Sequence, residues 1–307
     1  MPNSGTEADL IHANARILAR PIVSFMVDEI GRLTARYDGD YLMALVELSI
    51  TQATRPSGDA DADGKRSISA RAIGISLGLS YETCRRKVRG LEAAGVCMRV
   101  SANRLAIMPE HLEAPAYEAD CADRWRNLRR YLVEFRDIGF DLDQFSYVSP
   151  QTQVKAPTLN RTIAALMDDF ILRLGEARIK TEQDTFNSNI ISTVSCLNGD
   201  PVRFNRELTW KYPGGDDHPP YSLRAPASIT MIARRLGLSE DIVSRRLNDY
   251  VQRGWIRRVR GGFLYDMDAQ VTPEAHRSRN LMNLRFLQLV QALRPLGIDP
   301  GAATIDG

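Results

Sequence analysis

Residues 73–86, with the sequence Ile-Gly-Ile-Ser-Leu-Gly-Leu-Ser-Tyr-Glu-Thr-Cys-Arg-Arg, are echoed at residues 232–245 by Ile-Ala-Arg-Arg-Leu-Gly-Leu-Ser-Glu-Asp-Ile-Val-Ser-Arg. The two stretches are 159 residues apart, and the same offset relates Gly95 to Gly254. An internal match of this kind indicates that one structural unit occurs twice in the chain.

Weaker matches extend the repeat on both sides: residues 127–129 resemble 283–285, and residues 27–30 resemble 167–170. Because the order of the matches is kept, we predict two copies of one unit. These copies are residues 1–149 and 150–307, joined by the polar stretch 149–157.

Each copy has the pattern of two short helices joined at a glycine. Ser69 and Ser228 are placed to cap the first helix, since a serine hydroxyl accepts a free amide of the first turn. Gly78 and Gly237 stand where that helix must end, a position that favours positive φ. Ser80 and Ser239 can cap a second helix, which ends at Gly95 or Gly254.

Two short β-like stretches follow each helix pair, at 96–100 and 105–108 and again at 255–259 and 263–267. Helix, turn, helix and hairpin in this order predict a winged helix–turn–helix at 67–108 and again at 226–267. The predicted fold is therefore mainly α with small β-wings, an internal duplication with flanking helices. Polar linkers are predicted at 55–65 and at about 198–226.

The composition excludes several other classes of protein. The 307 residues are 44% hydrophobic and carry a net charge of +2, and no apolar run approaches the length of a membrane span. We see no secretory signal at the N-terminus and no C-x-x-C pair among the four cysteines. A cytoplasmic, reduced, nucleoid-associated protein without a membrane partner is expected.

Positive charge is concentrated in the two predicted winged helices. Residues 65–104 contain nine basic and two acidic side chains, and residues 224–260 contain nine arginines and three acidic side chains. Since the whole chain is only +2, the remainder is net acidic. Such a distribution is the electrostatic footprint of a phosphate-binding surface and predicts double-stranded DNA as the partner.

The second helix of each pair resembles the DNA-reading helix of the catabolite activator and fumarate–nitrate regulator family. That signature runs Leu-Gly-(Leu/Val)-(Ser/Thr)-x-Glu-Thr-(Val/Ile)-Ser-Arg, and here it covers residues 77–86 and 236–245. The resemblance implies that Glu82, Arg85 and Arg86 face base edges, as do Asp241, Ser244 and Arg245. Arginine can donate twice to guanine, and a carboxylate can accept from cytosine.

The resemblance spans about 40 residues per copy, and the β-rich cyclic-nucleotide domain of that family does not precede either copy. Arg85 replaces the usual serine and Asp241 is shorter than glutamate, so the preferred base sequence of the family does not transfer. No cofactor is expected. The full set of predicted base-reading residues is Tyr81, Glu82, Arg85, Arg86, Arg89, Glu240, Asp241, Ser244, Arg245 and Asn248.

A second set of arginines is predicted to contact DNA phosphates: Arg71, Arg99, Arg104, Arg246, Arg258 and Arg260. Other residues of the same segments are predicted to form the core: Leu77, Leu79, Val88, Leu91, Leu236, Leu238, Leu247 and Tyr250. Cys84 is interpreted as core filler in preference to a redox switch, and Trp255 is expected to pack under its wing.

Catalytic and metal-binding signals are weak. The chain has no P-loop, G-x-G-x-x-G, H-E-x-x-H or G-x-S-x-G motif, so we do not expect an enzyme. Asp216-Asp217-His218 could hold a metal, but its glycine and proline neighbours favour a mobile loop. Asp59, Asp61 and Asp63 resemble a calcium loop without the downstream glutamate, and a solvated linker is the simpler interpretation.

The helix after each wing has an apolar stripe: Trp125, Leu128, Leu132, Phe135 and Ile138 in the first copy, and Leu281, Leu284, Leu287 and Leu293 in the second. We predict that these helices pack with those at 20–36 and 160–174 and join the copies as a pseudo-dimer. A homodimer through the same stripes is the alternative.

Together these features predict sequence-specific binding of double-stranded DNA, in a bacterial transcription regulator with two recognition helices per chain. A pseudo-dimer would address half-sites about one helical turn, or roughly 34 Å, apart. A plasmid-type replication initiator and a winged-helix scaffold for protein interaction are the alternatives.

Overall fold

The structure is a computed structural model that describes residues 7–55, 66–145, 158–179, 185–266, 269 and 271–303. The chain forms two compact units. Unit 1 comprises Met1–Arg32, Arg126–Gln153 and Phe186–Gly307, and unit 2 comprises Leu33–Trp125 and Val154–Thr185. The linker predictions at 56–65 and 149–157, including Asp59, Asp61 and Asp63, and the strand end predicted at Met267 lie outside the described residues.

The described chain is mainly helical, as predicted, and contains two small antiparallel sheets. The helices are α1 (Glu7–Ala13), α2 (Ala15–Ala35), α3 (Tyr41–Thr54), α4 (Ala70–Leu77), α5 (Tyr81–Ala93), α6 (Pro109–Glu113), α7 (Pro115–Asp137), α8 (Thr158–Ile179), α9 (Thr185–Arg203), α10 (Arg206–Lys211), α11 (Ile229–Leu236), α12 (Glu240–Gln252) and α13 (Pro273–Leu293). The strands are β1 (Cys97–Ser101), β2 (Arg104–Ile107), β3 (Ile256–Val259) and β4 (Gly262–Tyr265). Within the described part of the chain, no helix is long and apolar enough to cross a membrane.

The compact units do not follow the predicted division into 1–149 and 150–307. Unit 2 holds α4, α5 and the β1–β2 hairpin together with α8 from the second half of the chain. Unit 1 holds α11, α12 and the β3–β4 hairpin together with most of α2 from the first half. The first long helix of each predicted copy therefore packs with the other copy's helix pair. Sequence similarity between copies cannot reveal this exchange, because equivalent helices offer similar surfaces.

We call residues 67–108 the first HTH segment and residues 226–267 the second HTH segment. The predicted serine caps are present in both. In α4 the Ser69 hydroxyl accepts from the Ala72 amide at 3.1 Å, and in α11 the Ser228 hydroxyl accepts from the Met231 amide at 3.2 Å. Ser80 and Ser239 cap α5 and α12 in the same way.

The turns between the two helices of each segment also agree with the prediction. Gly78 and Gly237 are left-handed, with φ of 63° and 65°, as the sequence predicted. After each glycine the next amide returns to the first helix, from Leu79 to the Gly74 carbonyl at 2.8 Å and from Leu238 to the Ala233 carbonyl at 3.0 Å. The two segments thus share their backbone hydrogen bonds at the offset of 159 residues.

The predicted hairpins are both present. β1 pairs with β2 and β3 pairs with β4, each antiparallel. A short bridge adds a third strand-like contact to each, Ile68 with Leu105 and Ala227 with Phe263. This bridge ties the residue before the first helix of the pair to the hairpin, so each HTH segment closes on itself.

The core of unit 1 is aromatic. The ring of Phe25 in α2 lies 5.7 Å from Tyr131 in α7 and 5.8 Å from Phe286 in α13, in both cases edge to face. Phe135 lies 5.8 Å from Phe286. Of the helices predicted to pack together, α2, the end of α7 and α13 therefore do so, whereas α8 belongs to unit 2.

The predicted stripe of α13 is only partly correct. Leu287 and Leu293 are buried, but Leu281 and Leu284 are half-exposed. Met282, Phe286 and Val290 complete the buried face of the helix, because their spacing of four residues follows one side of an α-helix. On α7 and directly after it, four residues are buried as predicted and Trp125 is half-buried: the buried ones are Leu128, Leu132, Phe135 and Ile138.

The linker predicted at about 198–226 is only partly correct. Residues 198–203 belong to α9, and α10 follows directly. The stretch after it is anchored to the start of α2, where the Arg16 and Ile17 amides donate to the Pro213 carbonyl at 2.9 and 3.3 Å. The prediction of a mobile loop at Asp216–His218 missed this anchoring, because the partners lie about 200 residues away in the sequence.

Unit 2 is held by ion pairs around buried acids. Asp168 of α8 is 1% exposed and forms an ion pair with Arg124 of α7 at 2.6 Å. Glu47 of α3 is equally buried and pairs with Arg36 at 2.9 Å and with His111 at 3.0 Å. Burial by itself would raise the pKa of Glu47, but the hydrogen bond from His111 and the charge of Arg36 lower it. These pairs join α7 to α8, and they join α3 to α6 and to the residue that follows α2.

Helix α2 approaches the second HTH segment most closely at Gly31. A Cβ atom built on Gly31 would lie 2.0 Å from the Arg235 carbonyl oxygen. The lack of a side chain lets Arg235 reach back to α2, where it donates to Asp28 at 2.8 Å and to Ser24 at 2.5 Å.

Replacing Gly31 with alanine should therefore destabilise unit 1. Ordinarily Gly→Ala inside a helix stabilises by about 0.5–1 kcal/mol. At Gly31 we expect the clash with backbone to reverse the sign and cost about 1–3 kcal/mol. Urea denaturation followed by circular dichroism measures the difference.

Gly199→Ala is the matched control, because Gly199 lies inside α9 of the same unit and a Cβ atom there meets nothing within 4 Å. It should leave the protein as stable or more stable. Equal effects of the two substitutions would contradict the close approach at Gly31.

Candidate nucleic-acid interface

Helix α5 has one buried and one exposed side. Cys84, Val88 and Leu91 are fully buried, at a spacing that places them on one side of the helix. The opposite side carries Arg86 and Arg89, both exposed. The helix therefore presents its charged side to solvent.

The residues predicted to read bases on α5 lie on its exposed side or beside it. Tyr81, at the first position of the helix, is 56% exposed. Arg85 is half-buried and forms a two-point contact with Glu82, from Nε at 3.0 Å and from NH2 at 3.2 Å. The hydrogen bonds from Arg85 lower the pKa of Glu82, so both groups are charged at neutral pH.

Helix α12 repeats this arrangement. Val243, Leu247 and Tyr250 are buried, and Arg245 is exposed on the other side. The remaining predicted residues of this helix are exposed, apart from the half-buried Ser244: Glu240, Asp241 and Asn248. Arg245 Nε donates to the Asp241 carbonyl at 3.3 Å, so its guanidinium lies along the helix surface.

The hairpin of the second HTH segment contacts its helix. Arg258 of β3 donates to Asn248 Oδ1 at 2.8 Å and lies over the Phe263 ring, 4.9 Å from its centre. This contact brings a predicted phosphate-binding residue next to a predicted base-reading residue. Arg260, in the turn of the hairpin, is exposed.

The other arginines predicted to contact phosphates differ in their exposure and in the contacts that they already make. Arg71 on α4 and Arg104 at the start of β2 are exposed. Arg246 is half-buried on the flank of α12. Arg99 is exposed but pairs with Glu92 at 2.8 Å and donates to the Ala102 carbonyl at 3.3 Å, so a phosphate would have to displace a carboxylate.

The charge counted from the sequence overstates the charge on the surface. Arg235 is directed at Asp28 inside unit 1, and Arg257 bonds to Asp266. Lys87 of α5 bonds to Asp40 in the same way. The neutralising carboxylates lie outside the counted stretches of sequence, and only the folded chain brings them to their partners.

The core predictions for the two segments are largely confirmed. Six of the eight predicted core residues are buried, whereas Leu79 and Leu238, directly after the turn glycines, are half-exposed. Cys84 is buried, as predicted. Trp255 is not packed under its wing as predicted. It is 38% exposed, and its ring stacks on the ring of Tyr250 with the centroids 5.7 Å apart.

Sequence reasoning missed the most exposed large apolar side chain in the described part of the chain. Ile75, on the outer side of α4, is 73% exposed. The equivalent position of the second segment is Arg234, also exposed. The alignment of Ile75 with Arg234 could have revealed its exposure, because a position that holds arginine in one copy is expected to face solvent in both.

Comparisons with known proteins give no family assignment: no protein-family model, curated protein or solved structure matches the chain. In the part of the chain that the structure describes, no group of three or more His, Cys, Asp or Glu side chains is arranged to hold a metal ion. Only the geometry of the described residues therefore supports the candidate interface.

The state of the cysteines supplies a test of this geometry. Cys84, Cys97, Cys121 and Cys196 are all buried and unpaired by disulfides. Burial raises the pKa of each thiol, to about 12 for Cys97 and to about 11 for Cys121. Since the thiolate is the reactive form, all four should react slowly in the folded protein.

We expect a colorimetric disulfide reagent at pH 8 to modify none of the four thiols rapidly, and to modify all four after unfolding in urea. Fast reaction of one thiol, lost in Cys84→Ala, would show that α5 does not bury its inner side. The control is the same assay on Cys84→Ala in urea, where three thiols should react.

Proposed function

We propose that this chain is a sequence-specific double-stranded DNA-binding protein with α5 and α12 as recognition helices. The observation that carries the proposal is the equivalence of Arg86 and Arg245. Both are exposed, and each lies on a helix whose other side is buried. The two helices follow turns with the same hydrogen bonds.

The mechanism we propose follows from this arrangement. A helix that enters the major groove can place an arginine against guanine, where its planar fork donates to O6 and N7 together. The capped start of each helix carries acidic residues, Glu82 in α5 and Asp241 in α12, that can accept from cytosine N4. Exposed arginines of the hairpins, such as Arg104 and Arg260, would contact phosphates and fix the register.

The two recognition helices should prefer different base sequences. Tyr81 aligns with Glu240, Arg85 with Ser244, and Arg89 with Asn248. The contacts differ as well, because Arg85 is held by Glu82 whereas Asn248 is held by Arg258. A DNA site for this chain would therefore consist of two unlike parts, which is an imperfect palindrome at most.

We further propose that the biological role is transcription regulation in bacteria. A plasmid-type replication initiator would use the same two helices, and would differ in binding repeated sites at an origin. One observation favours a third role, a scaffold for protein interaction: the exposed Ile75 lies on α4, the first helix of the first HTH segment. An exposed isoleucine is more typical of a protein contact than of a phosphate contact.

The decisive test is binding of the full chain to a pool of random duplexes, measured by fluorescence anisotropy from about 50 to 300 mM salt. Sequencing of the bound fraction should return a motif of two unlike parts. Arg86→Ala should weaken binding by about 1–3 kcal/mol and relax the preference in one part of the motif. Arg245→Ala should do the same in the other part.

Matched controls exist in each unit. Arg173 in unit 2 and Arg277 in unit 1 are exposed arginines that pair with a neighbouring acid on their own helices, α8 and α13. Their alanine variants should bind as the unaltered chain does. No binding at the lowest salt would refute the proposal and leave the scaffold. Binding without an enriched motif would refute sequence specificity.

A further inference from the structure

Arg258 of β3 holds the side chain of Asn248 on α12. Its Nη2 atom donates to Asn248 Oδ1 at 2.8 Å. Asn248 lies one turn after Arg245 and two turns after Asp241, so the three side chains share one exposed face of the helix. The hydrogen bond therefore acts on a side chain that a DNA base would meet.

The direction of this hydrogen bond decides which end of the Asn248 amide is free. A guanidinium group has donors and no acceptor, so the atom that it meets must be the amide oxygen. The Nδ2 group, which carries two donors, is then turned away from Arg258. Asn248 consequently presents donors to a partner, while its oxygen is directed at the hairpin.

The hairpin supports Arg258 in this position. Arg258 stands opposite Phe263 in the pairing of β3 with β4, and its guanidinium lies 4.9 Å from the centre of the Phe263 ring. Phe263 is only 3% exposed, so the ring is a fixed support. A guanidinium that rests on a buried ring loses less conformational entropy in forming its hydrogen bond than one on an unsupported side chain.

The first HTH segment has a different contact at the equivalent place. There Arg99 stands opposite Leu105, which supplies no aromatic ring. The helix position equivalent to Asn248 is Arg89, whose side chain has no acceptor for Arg99. Arg99 pairs with Glu92 at 2.8 Å. The hairpin arginine thus orients this helix position in the second segment and not in the first.

We propose that Arg258 is a positioning residue that sets the base preference of Asn248, an inference that rests on the proposed DNA binding. Asparagine reads adenine by accepting from N6 and donating to N7 at the same time. Because Arg258 directs the oxygen of Asn248 toward the hairpin, Asn248 instead donates from Nδ2 to the acceptor oxygen of guanine or thymine, O6 or O4. In this arrangement Arg258 acts through Asn248 and not as the phosphate contact that the sequence predicts.

The contact can be tested without DNA. In nuclear magnetic resonance spectra of the isotope-labelled full chain, the side-chain amide signals that are absent from Asn248→Ala identify Asn248. These signals should shift in Arg258→Met, which keeps the apolar stem on Phe263 and removes the donors. The matched control is Arg253→Met, because Arg253 also lies over an aromatic ring of this segment, 5.8 Å from the centre of Trp255. Signals that move equally in both variants, or in neither, would refute the contact.

Selection from random duplexes then tests the base preference. The unaltered chain should select guanine or thymine at one position of the motif, and Asn248→Ala should lose the preference at that position alone. Arg258→Met should shift the preference toward adenine by about tenfold, because a free asparagine can make both adenine contacts. Arg258→Lys retains a donor and should keep the original preference, and Arg253→Met should leave the motif unchanged.

The two substitutions should also be coupled. In the Asn248→Ala background, Arg258→Met should leave the base preference at this position unaltered, because the side chain that it positions is gone. Adenine at this position in the unaltered chain, or a motif that Arg258→Met does not change, would overturn the inference while the proposed DNA binding stands. No DNA binding by the unaltered chain would refute the proposed function and the base preference together, and the spectra would still decide the contact.

Discussion

The close approach of α2 to α11 is the constraint on which unit 1 depends. It requires a glycine at position 31, since any larger residue would meet the Arg235 carbonyl. Once the helices are this close, the Arg235 side chain can reach Asp28 and Ser24. The orientation of the second HTH segment within its unit is thus set by the lack of a side chain at Gly31 and by the length of the Arg235 side chain.

Ser24 extends this constraint to other helices. Its hydroxyl is fully buried and lies within hydrogen-bond distance of Arg203 and Cys196 of α9 and of Tyr131 of α7. Arg203 in turn pairs with Glu134, so its buried charge is compensated. A network of this kind costs desolvation energy and tolerates few alternative arrangements. We infer that it contributes more to defining one packing of the helices than to the free energy of folding.

Local features of the fold could be predicted from the sequence, because their causes lie within a few residues. Two such causes are a serine that caps the amide three residues later, as at Ser80, and a glycine at a left-handed turn, as at Gly78. The division into units could not be predicted. The repeat shows that residues 27–30 and 167–170 are alike, and for that reason it cannot show which HTH segment each of them packs against.

The same limit applies to the candidate interface. The exposed positions of Arg86 and Arg245 follow from helical periodicity. Whether the other cations are neutralised depends on carboxylates that are far away in the sequence. Ser76 and Arg235 show the difference at one aligned position. Ser76 donates to Glu176 of α8 at 2.7 Å, while Arg235 forms a charged pair with Asp28 of α2. The two HTH segments have equivalent backbone hydrogen bonds at their turns, yet their attachments differ. Ser76 attaches the first segment as a neutral donor, and Arg235 attaches the second through an ion pair. Their attachment within their units should therefore respond differently to salt, which screens the charged contact more than the neutral one.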